Sequence, residues 1–358
     1  MGGTRIAKIV TIDFQPRFVV GKIMVDSLDT PILNHGSQLG DRDGGLPHVI
    51  HVDASSRETP EWLSEHLDRI RARITSHGAV LLRGFPVDGA QAFGDIFSKI
   101  LGSPIPYSER SSPRKTIYNN VYSSTEYRSD RSIFLHSEQS YNSTFVRFIG
   151  FYCAATATSG GETPLADTRR VFSRIDPTLR AECIRKGYIY RRAFGFGLGP
   201  SWRETFGFAS PKELEEYCDQ NQIDYEWMSA DNERLVTQQK RAVAARHPIS
   251  HELTWFNHMT FFHVLSLEPE LRHLLETVCQ KTEYPHSTLL GDGAEIPPLM
   301  IANLREAYLS EEVTFNWAAG DILLIDNMLV AHGRRPFTGP REVLVAMSTP
   351  TRWEDVMI

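Results

Sequence analysis

The sequence predicts an α+β protein: one barrel-centred domain, a sandwich or jelly roll of short strands, decorated by helices. Three features predict it. Two helical patterns stand early in the chain, at 59–77 and 90–101, and β-rich runs punctuated by Gly, Pro and Asn fill the middle and the closing third. The short strands are separated by turns, with no succession of βαβ units to suggest a parallel sheet. The chain has 358 residues, enough for one large domain, and no repeat, low-complexity stretch or clear linker divides it. Residues 1–358 are therefore expected to form a single domain, with 1–58 as irregular N-terminal cover and 59–350 as the core.

The elements follow in order. The first sixty residues mix short β-rich runs (Ile9 to Ile12, Phe18 to Val20) with the Gly/Asp-rich loop "GSQLGDRDGG". From Thr59, Pro60 follows a capping residue, Leu63, Leu67, Ile70 and Ile74 recur at helical spacing, and His77-Gly78 ends the run. "GAVLLRGF" reads as a buried strand and "AQAFGDIFSKIL" as a second helix closed by Gly102. Between Thr116 and Ala155, "TIYNNVY" and "TFVRFIGFYCA" read as strands flanking "FLHSEQSY". "TSGGETPLADTRRVFSRI" gives a glycine turn, a short strand and a helix that Asp167 or Thr168 caps. "YIYRRAF" is another strand, and residues 210–221 and 268–280 are short helices. The closing third is β-rich, with "DILLIDNMLVA" leading into a hairpin.

Composition narrows the function classes. With 41% hydrophobic and 23% charged residues the chain is of ordinary globular type, neither disordered nor fibrous. Net charge is −6 and the basic residues are scattered, which argues against nucleic acid as a partner. Four cysteines, far apart and without a C-x-x-C pair, indicate neither a zinc knuckle nor a disulfide framework, and a reducing cytoplasm is expected. No secretory leader pattern is present, and no stretch approaches the roughly 18 apolar residues of a membrane span. No G-x-S-x-G elbow, P-loop or spaced Rossmann glycine fingerprint occurs, which removes the motifs of hydrolases, kinases and dehydrogenases.

The chemistry-bearing stretch is "FLHSEQSY". If it begins as a strand, His136 and Glu138 share a face while Ser137 turns away, because side chains two apart point the same way. Two His and one carboxylate form the facial triad of non-haem Fe(II) oxygenases, with three positions left open, so a distant histidine is needed. His332 in the final hairpin is the candidate. Nine residues on, Arg341 stands where a neighbouring strand could bring a guanidinium to the same cavity, and arginine clamps a carboxylate through parallel hydrogen bonds. A metal beside such a clamp implies a dicarboxylate cosubstrate. Taken singly, each of these residues has a plain alternative: two surface residues on a turn, a hydrogen-bonded strand-end histidine, a solvated charge.

Taken in order, they carry a resemblance. "GAVLLRGF", "STEY", "FLHSEQSY", "FYCAATATSGGETPLAD", "LLIDNMLVAHGRRPFTGPR" and "VLVAM" follow the order of the TauD/TfdA family of Fe(II)- and 2-oxoglutarate-dependent dioxygenases, over roughly residues 60 to 350. Glu in H-x-D/E resembles the branch of amino-acid hydroxylases of nonribosomal peptide pathways. The resemblance implies a double-stranded β-helix (jelly-roll, cupin-like) core, Fe(II) on His136, Glu138 and His332, and 2-oxoglutarate on Thr163 and Arg341. It implies, further, a soluble enzyme that uses O2 to hydroxylate an unactivated C–H of a small amino-acid-like substrate, free or tethered to a peptidyl carrier protein. Desaturation, or catabolic oxidation of a sulfonate or other small acid, is the alternative within the class, and a silent metal- or carboxylate-binding barrel is the alternative outside it. Some family members carry a second arginine four residues after the clamp; here that position is Val345, and Arg352 is a candidate substitute.

Candidate substrate contacts are Asn120, Thr125 and Glu126 ahead of the metal segment, Gln139 and Ser140 beside it, and Arg334 beside His332. Each also has a turn, capping or solvated reading. His247 and His251 lie at i, i+4, but Pro248 opposes a helix there; His258 and His263 flank the aromatic run "MTFF", and either can reach a cavity rim.

Overall fold

The computed structural model describes residues 45–52, 59–109, 111, 114–125 and 127–358, with side chains in the first helix described from Trp62 onward. The runs at Ile9 to Ile12 and Phe18 to Val20, most of the Gly/Asp loop, and Glu126 therefore lie outside the described residues.

The protein is α+β, and two antiparallel-rich sheets face each other. One has seven strands in the order His48–His51, Ala79–Arg83, Ile322–Asp326, Thr144–Ala155, Glu342–Arg352, Val121–Ser123, Thr116–Tyr118. The other has four, in the order Glu312–Val313, Leu165–Asp167, Val330–Arg334, Ile133–His136. All pairings are antiparallel except that of His48–His51 with Ala79–Arg83. His48–His51 thus gives a strand to a segment the sequence reads as irregular cover.

The period-2 geometry of a strand explains why the large sheet's sequences are continuously apolar. Leu323, Ile325, Val343, Val345 and Met347 point inward and pack with Leu165 and Val330 of the small sheet. Their neighbours Ile322, Leu324, Leu344 and Ala346 point outward. The outer face is roofed by the helices Thr59–His77 and Gly89–Leu101, which bury Leu63, Ile70, Ile74, Phe93, Phe97 and Ile100 on it. A sheet covered on both faces reads as "AVLL", "ILLI" and "VLVAM" rather than as alternation.

The anticipated closing hairpin is not one. Ile322–Asp326 and Val330–Arg334 enter different sheets, because the turn between them, closed by Leu329 N–H donating to the Asp326 carbonyl, carries the chain across the core. Behind the small sheet lies a further four-stranded sheet, Asp224–Trp227, Leu235–Arg241, Tyr188–Phe194 and Ser287–Leu290. Tyr188, Tyr190, Trp255, Phe262 and the helix Pro298–Ser310 close on Leu135, Ala166 and Ala331. That helix escaped the sequence reading: its buried Met300, Ile301, Leu304, Ala307 and Tyr308 share a chain with exposed Leu299 and Leu309, which blurs the apolar stripe. All four cysteines are unpaired thiols, as expected. Among the described residues, no helix is long and apolar enough to cross a membrane.

Between the two strands that carry the candidate histidines, Gly333 has no room for a side chain. A Cβ there would lie 2.5 Å from the Ile133 carbonyl oxygen and 3.2 Å from Pro164 Cγ. Gly333→Ala is expected to force these strands apart and lower the unfolding free energy by about 1–3 kcal/mol, the usual range for overpacking, measured by urea denaturation.

Candidate metal centre

The strand of "FLHSEQSY" stops at His136, and Glu138 sits in the turn that follows, so a shared strand face does not account for their convergence. A side-chain clamp does. Buried Asn327 accepts the Glu138 N–H through Oδ1 at 2.8 Å and donates through Nδ2 to the carbonyls of Glu138 and Val146, both at 2.8 Å. It fixes the turn as a paired strand residue would. Ser137 is buried, and its hydroxyl has no hydrogen-bond partner among the described residues.

Asn327 donates its own backbone N–H to the Arg147 carbonyl at 2.7 Å. Asp326 takes the Arg147 guanidinium at 3.1 Å and His247 Nε2 at 3.0 Å in a buried cluster. His247 is thereby a structural histidine, and His251 is an exposed turn residue at φ +60, so the i, i+4 pair is no metal site.

Five residues beyond Asn327, His332 pairs across the strands with His136. Their ring centroids are 4.6 Å apart, with Phe261 4.6 Å from His136 and Phe151 5.1 Å from His332. Ligand atoms of His136, Glu138 and His332 all lie within 4.8 Å of one another. The donor chemistry fits a divalent iron. His136 Nδ1 donates to the Phe134 carbonyl at 2.9 Å, which leaves Nε2 as the unprotonated nitrogen. His332 Nδ1 is buried with no hydrogen-bond partner among the described residues. Burial holds both imidazoles below the ordinary histidine range, His332 well below, and hence in the neutral form that binds a metal.

Beside this group, Thr163 is buried and its Oγ1 accepts the Trp317 indole N–H at 3.1 Å. Arg341, just ahead of Glu342–Arg352, donates Nε to the Gly161 carbonyl at 3.1 Å, two residues from Thr163. Gly161, at φ +79, is required there: a Cβ would stand 3.0 Å from the Arg341 side chain.

Other candidates fall elsewhere. Arg334 is buried and donates to the carbonyls of Tyr127, Arg128 and Arg131, so it ties down a loop and is no solvated charge at the mouth. Asn120 is a hairpin-turn residue at φ +62, its amide committed to the Pro104 carbonyl and the Tyr122 hydroxyl. Gln139 donates to the Ser108 carbonyl, and the Ser140 hydroxyl meets His258 Nδ1 at 2.7 Å. Thr125 accepts the Tyr127 N–H at its carbonyl. Arg352 is exposed among Glu354 and Asp355, while Val345 is buried between the sheets. Sequence reasoning missed Arg114, whose Nη2 meets Glu138 Oε2 at 2.6 Å, and also Tyr107, Asn327 and Trp317. "SSPRK" carries no periodic signal for Arg114; the Asp-Asn pair closing an apolar strand is the one available sign of Asn327.

Residues 45–347 match the family model described as taurine catabolism dioxygenase TauD, TfdA family. The chain is 38% identical over 321 residues to the dapdiamide synthesis protein DdaC of Enterobacter agglomerans, covering 89% of this chain and 96% of that one. It is 27% identical over 299 residues to the clavaminate synthase-like protein At3g21360 of Arabidopsis thaliana, covering 81% and 86%. Among solved structures, PvcB from Pseudomonas aeruginosa superposes with a TM-score of 0.50 at 16% identity, over 85% of this chain and 87% of that one, a likeness of fold.

Burial also depresses His258 well below the ordinary range and His263 to about 4. Below the usual value of 6.5 the unfolded chain then binds more protons than the folded one, so stability falls as pH drops. Metal-free protein is expected to lose stability from pH 6.5 toward 4, by up to about 1.4 kcal/mol per pH unit per histidine, and to be insensitive to these groups above about pH 7.5. Urea midpoints across that range check it; a rise on acidification contradicts it.

Proposed function

The chain belongs to the TauD/TfdA family of non-haem iron, 2-oxoglutarate-dependent dioxygenases, and from that premise we propose that it hydroxylates an unactivated C–H of a small amino-acid-derived substrate in natural-product biosynthesis. One observation carries the reading: residues from the two ends of the core, His136 with Glu138 and His332, converge with ligand atoms inside 4.8 Å. The similarity to a protein named for dapdiamide synthesis supports the biosynthetic setting. Val345, buried where some relatives carry a second arginine, speaks against a sulfonate substrate. We read the two facing sheets as the double-stranded β-helix and residues 59–350 as the dioxygenase core of a single catalytic domain.

His136, Glu138 and His332 would hold Fe(II), and Arg341 with Thr163 would hold the far carboxylate of 2-oxoglutarate. When bound, iron and 2-oxoglutarate with O2 supply the oxidant for C–H cleavage. The chain's own share is placement and protection. The Phe134 carbonyl fixes the tautomer of His136, and Asn327 fixes the turn of Glu138. Trp317 donates to Thr163 Oγ1, so the threonine's own proton is left to be given to a carboxylate oxygen. Arg341 carries the matching positive charge in a half-buried setting, where a charge-assisted hydrogen bond is stronger than in water. Phe151 and Phe261 line the histidines and exclude water from the reacting carbon. The substrate, free or presented on a peptidyl carrier protein, has to bring its target carbon to this apolar wall.

Anaerobic addition of Fe(II) and 2-oxoglutarate is expected to give a visible charge-transfer band, which His136→Ala and His332→Ala abolish. Persistence of the band in either variant contradicts the assignment. Arg341→Gln is expected to weaken 2-oxoglutarate binding about 10- to 150-fold, the value of a charged hydrogen bond of about 1.5–3 kcal/mol, read by titrating that band. Succinate release stimulated by one of a panel of amino acids and carrier-bound aminoacyl groups would identify the substrate class.

A further inference from the structure

We propose that Arg114 is a positioning residue for the metal carboxylate: by occupying Oε2 of Glu138 it makes the glutamate a one-oxygen ligand through Oε1. The proposal rests on the metal reading above and deepens it.

The contact is built into the fold. Arg114 Nη2 meets Glu138 Oε2 at 2.6 Å, with side chains only 5% and 3% exposed. The guanidinium carbon lies 4.7 Å over the Tyr107 ring. The segment leading to it is pinned to the metal turn at successive points: Gln139 Nε2 donates to the Ser108 carbonyl and the Tyr141 hydroxyl to the Glu109 carbonyl, both at 2.9 Å. The Glu109 carboxylate is held in turn by the Tyr217 hydroxyl and Gln239 Nε2, each at 2.7 Å.

The geometry of the pair is the telling part. A guanidinium facing an uncommitted carboxylate commonly makes two parallel hydrogen bonds. Here there is one, and Arg114 Nε is buried with no hydrogen-bond partner among the described residues. Among the described residues Oε1 meets only the Tyr107 hydroxyl, at 3.5 Å, a weak contact. The carboxylate is therefore turned so that one oxygen is spoken for and the other is not.

A physical need exists for such a restraint. A carboxylate can take a metal through one oxygen or both, and a second Glu138 oxygen on iron would use one of the three positions that the cosubstrate and O2 require. Glutamate, one methylene longer than the aspartate alternative of H-x-D/E, has the added freedom to swing both oxygens in. A fixed cation on Oε2 opposes that swing. Hydrogen-bond partners of metal ligands that orient them in this way typically contribute 10- to 100-fold in metal affinity.

The experiment titrates the metal-free full chain with Co(II), whose ligand-field absorption reports coordination. Wild type is expected to bind one Co(II), and His332→Ala to lose it; absence of binding in wild type, or retention in His332→Ala, overturns the underlying metal reading. Given wild-type binding, Arg114→Gln is expected to bind Co(II) about 10- to 100-fold more weakly with an altered visible spectrum, and Arg114→Lys, which keeps the charge, to fall between. If Arg114 were only a counter-ion that the metal displaces, removing it would relieve a competitor, and Arg114→Gln would bind more tightly. Tighter binding, or unchanged affinity and spectrum, overturns the positioning role while leaving the metal site intact. Should Arg114→Gln not fold, Arg114→Lys decides alone: affinity and spectrum equal to wild type overturn the role.

Discussion

Asn327 joins the two halves of the centre, and the site depends on it. Its side chain takes both backbone groups of Glu138 and the carbonyl of Val146, and its own position is set by the turn that throws the chain from the large sheet into the small one. From that turn the strand Val330–Arg334 runs antiparallel to Ile133–His136, and His332 comes to rest opposite His136. One amide thus couples a loop ligand to a strand ligand; the residue's backbone N–H is tied to the Arg147 carbonyl, and Asp326 beside it in the chain holds the Arg147 and His247 side chains. Buried hydrogen-bonded networks of this kind specify one arrangement because every alternative leaves polar groups unsatisfied.

Electrostatics follow from the same burial. The imidazoles are neutral because charging them in the core is costly, which leaves their nitrogens available as donors to a metal. In the same surroundings the Arg114 guanidinium lies against Glu138, Nη2 to Oε2 at 2.6 Å. Two neutral donors and one carboxylate set against a guanidinium form a centre whose charge balance is written into the side chains before any ion arrives.

The sequence disclosed the helices at Thr59–His77 and Gly89–Leu101 and most strands, because their periodicity is local. It also marked His136, Glu138 and His332, since the spacing of H-x-E and a histidine after an apolar strand survive as linear signals. It misassigned how they meet. The i, i+2 face argument was expected to align His136 with Glu138, whereas the strand ends at His136 and an asparagine remote in sequence closes the geometry. Arg334 looked like a surface charge because it is charged and adjacent to a turn; only the fold shows three backbone carbonyls waiting for it. Arg114 was invisible for a related reason: a residue in an irregular segment acquires meaning only through what it packs against.

The central claim is that two imidazoles and one carboxylate of this chain bind a single ferrous ion. X-ray absorption of the iron-loaded protein at the iron edge tests it most directly. The account predicts a nitrogen- and oxygen-coordinated ferrous centre with the outer-shell scattering of two imidazoles, reduced to one in His332→Ala. Sulfur scattering, or an imidazole count that His332→Ala leaves unchanged, would contradict it.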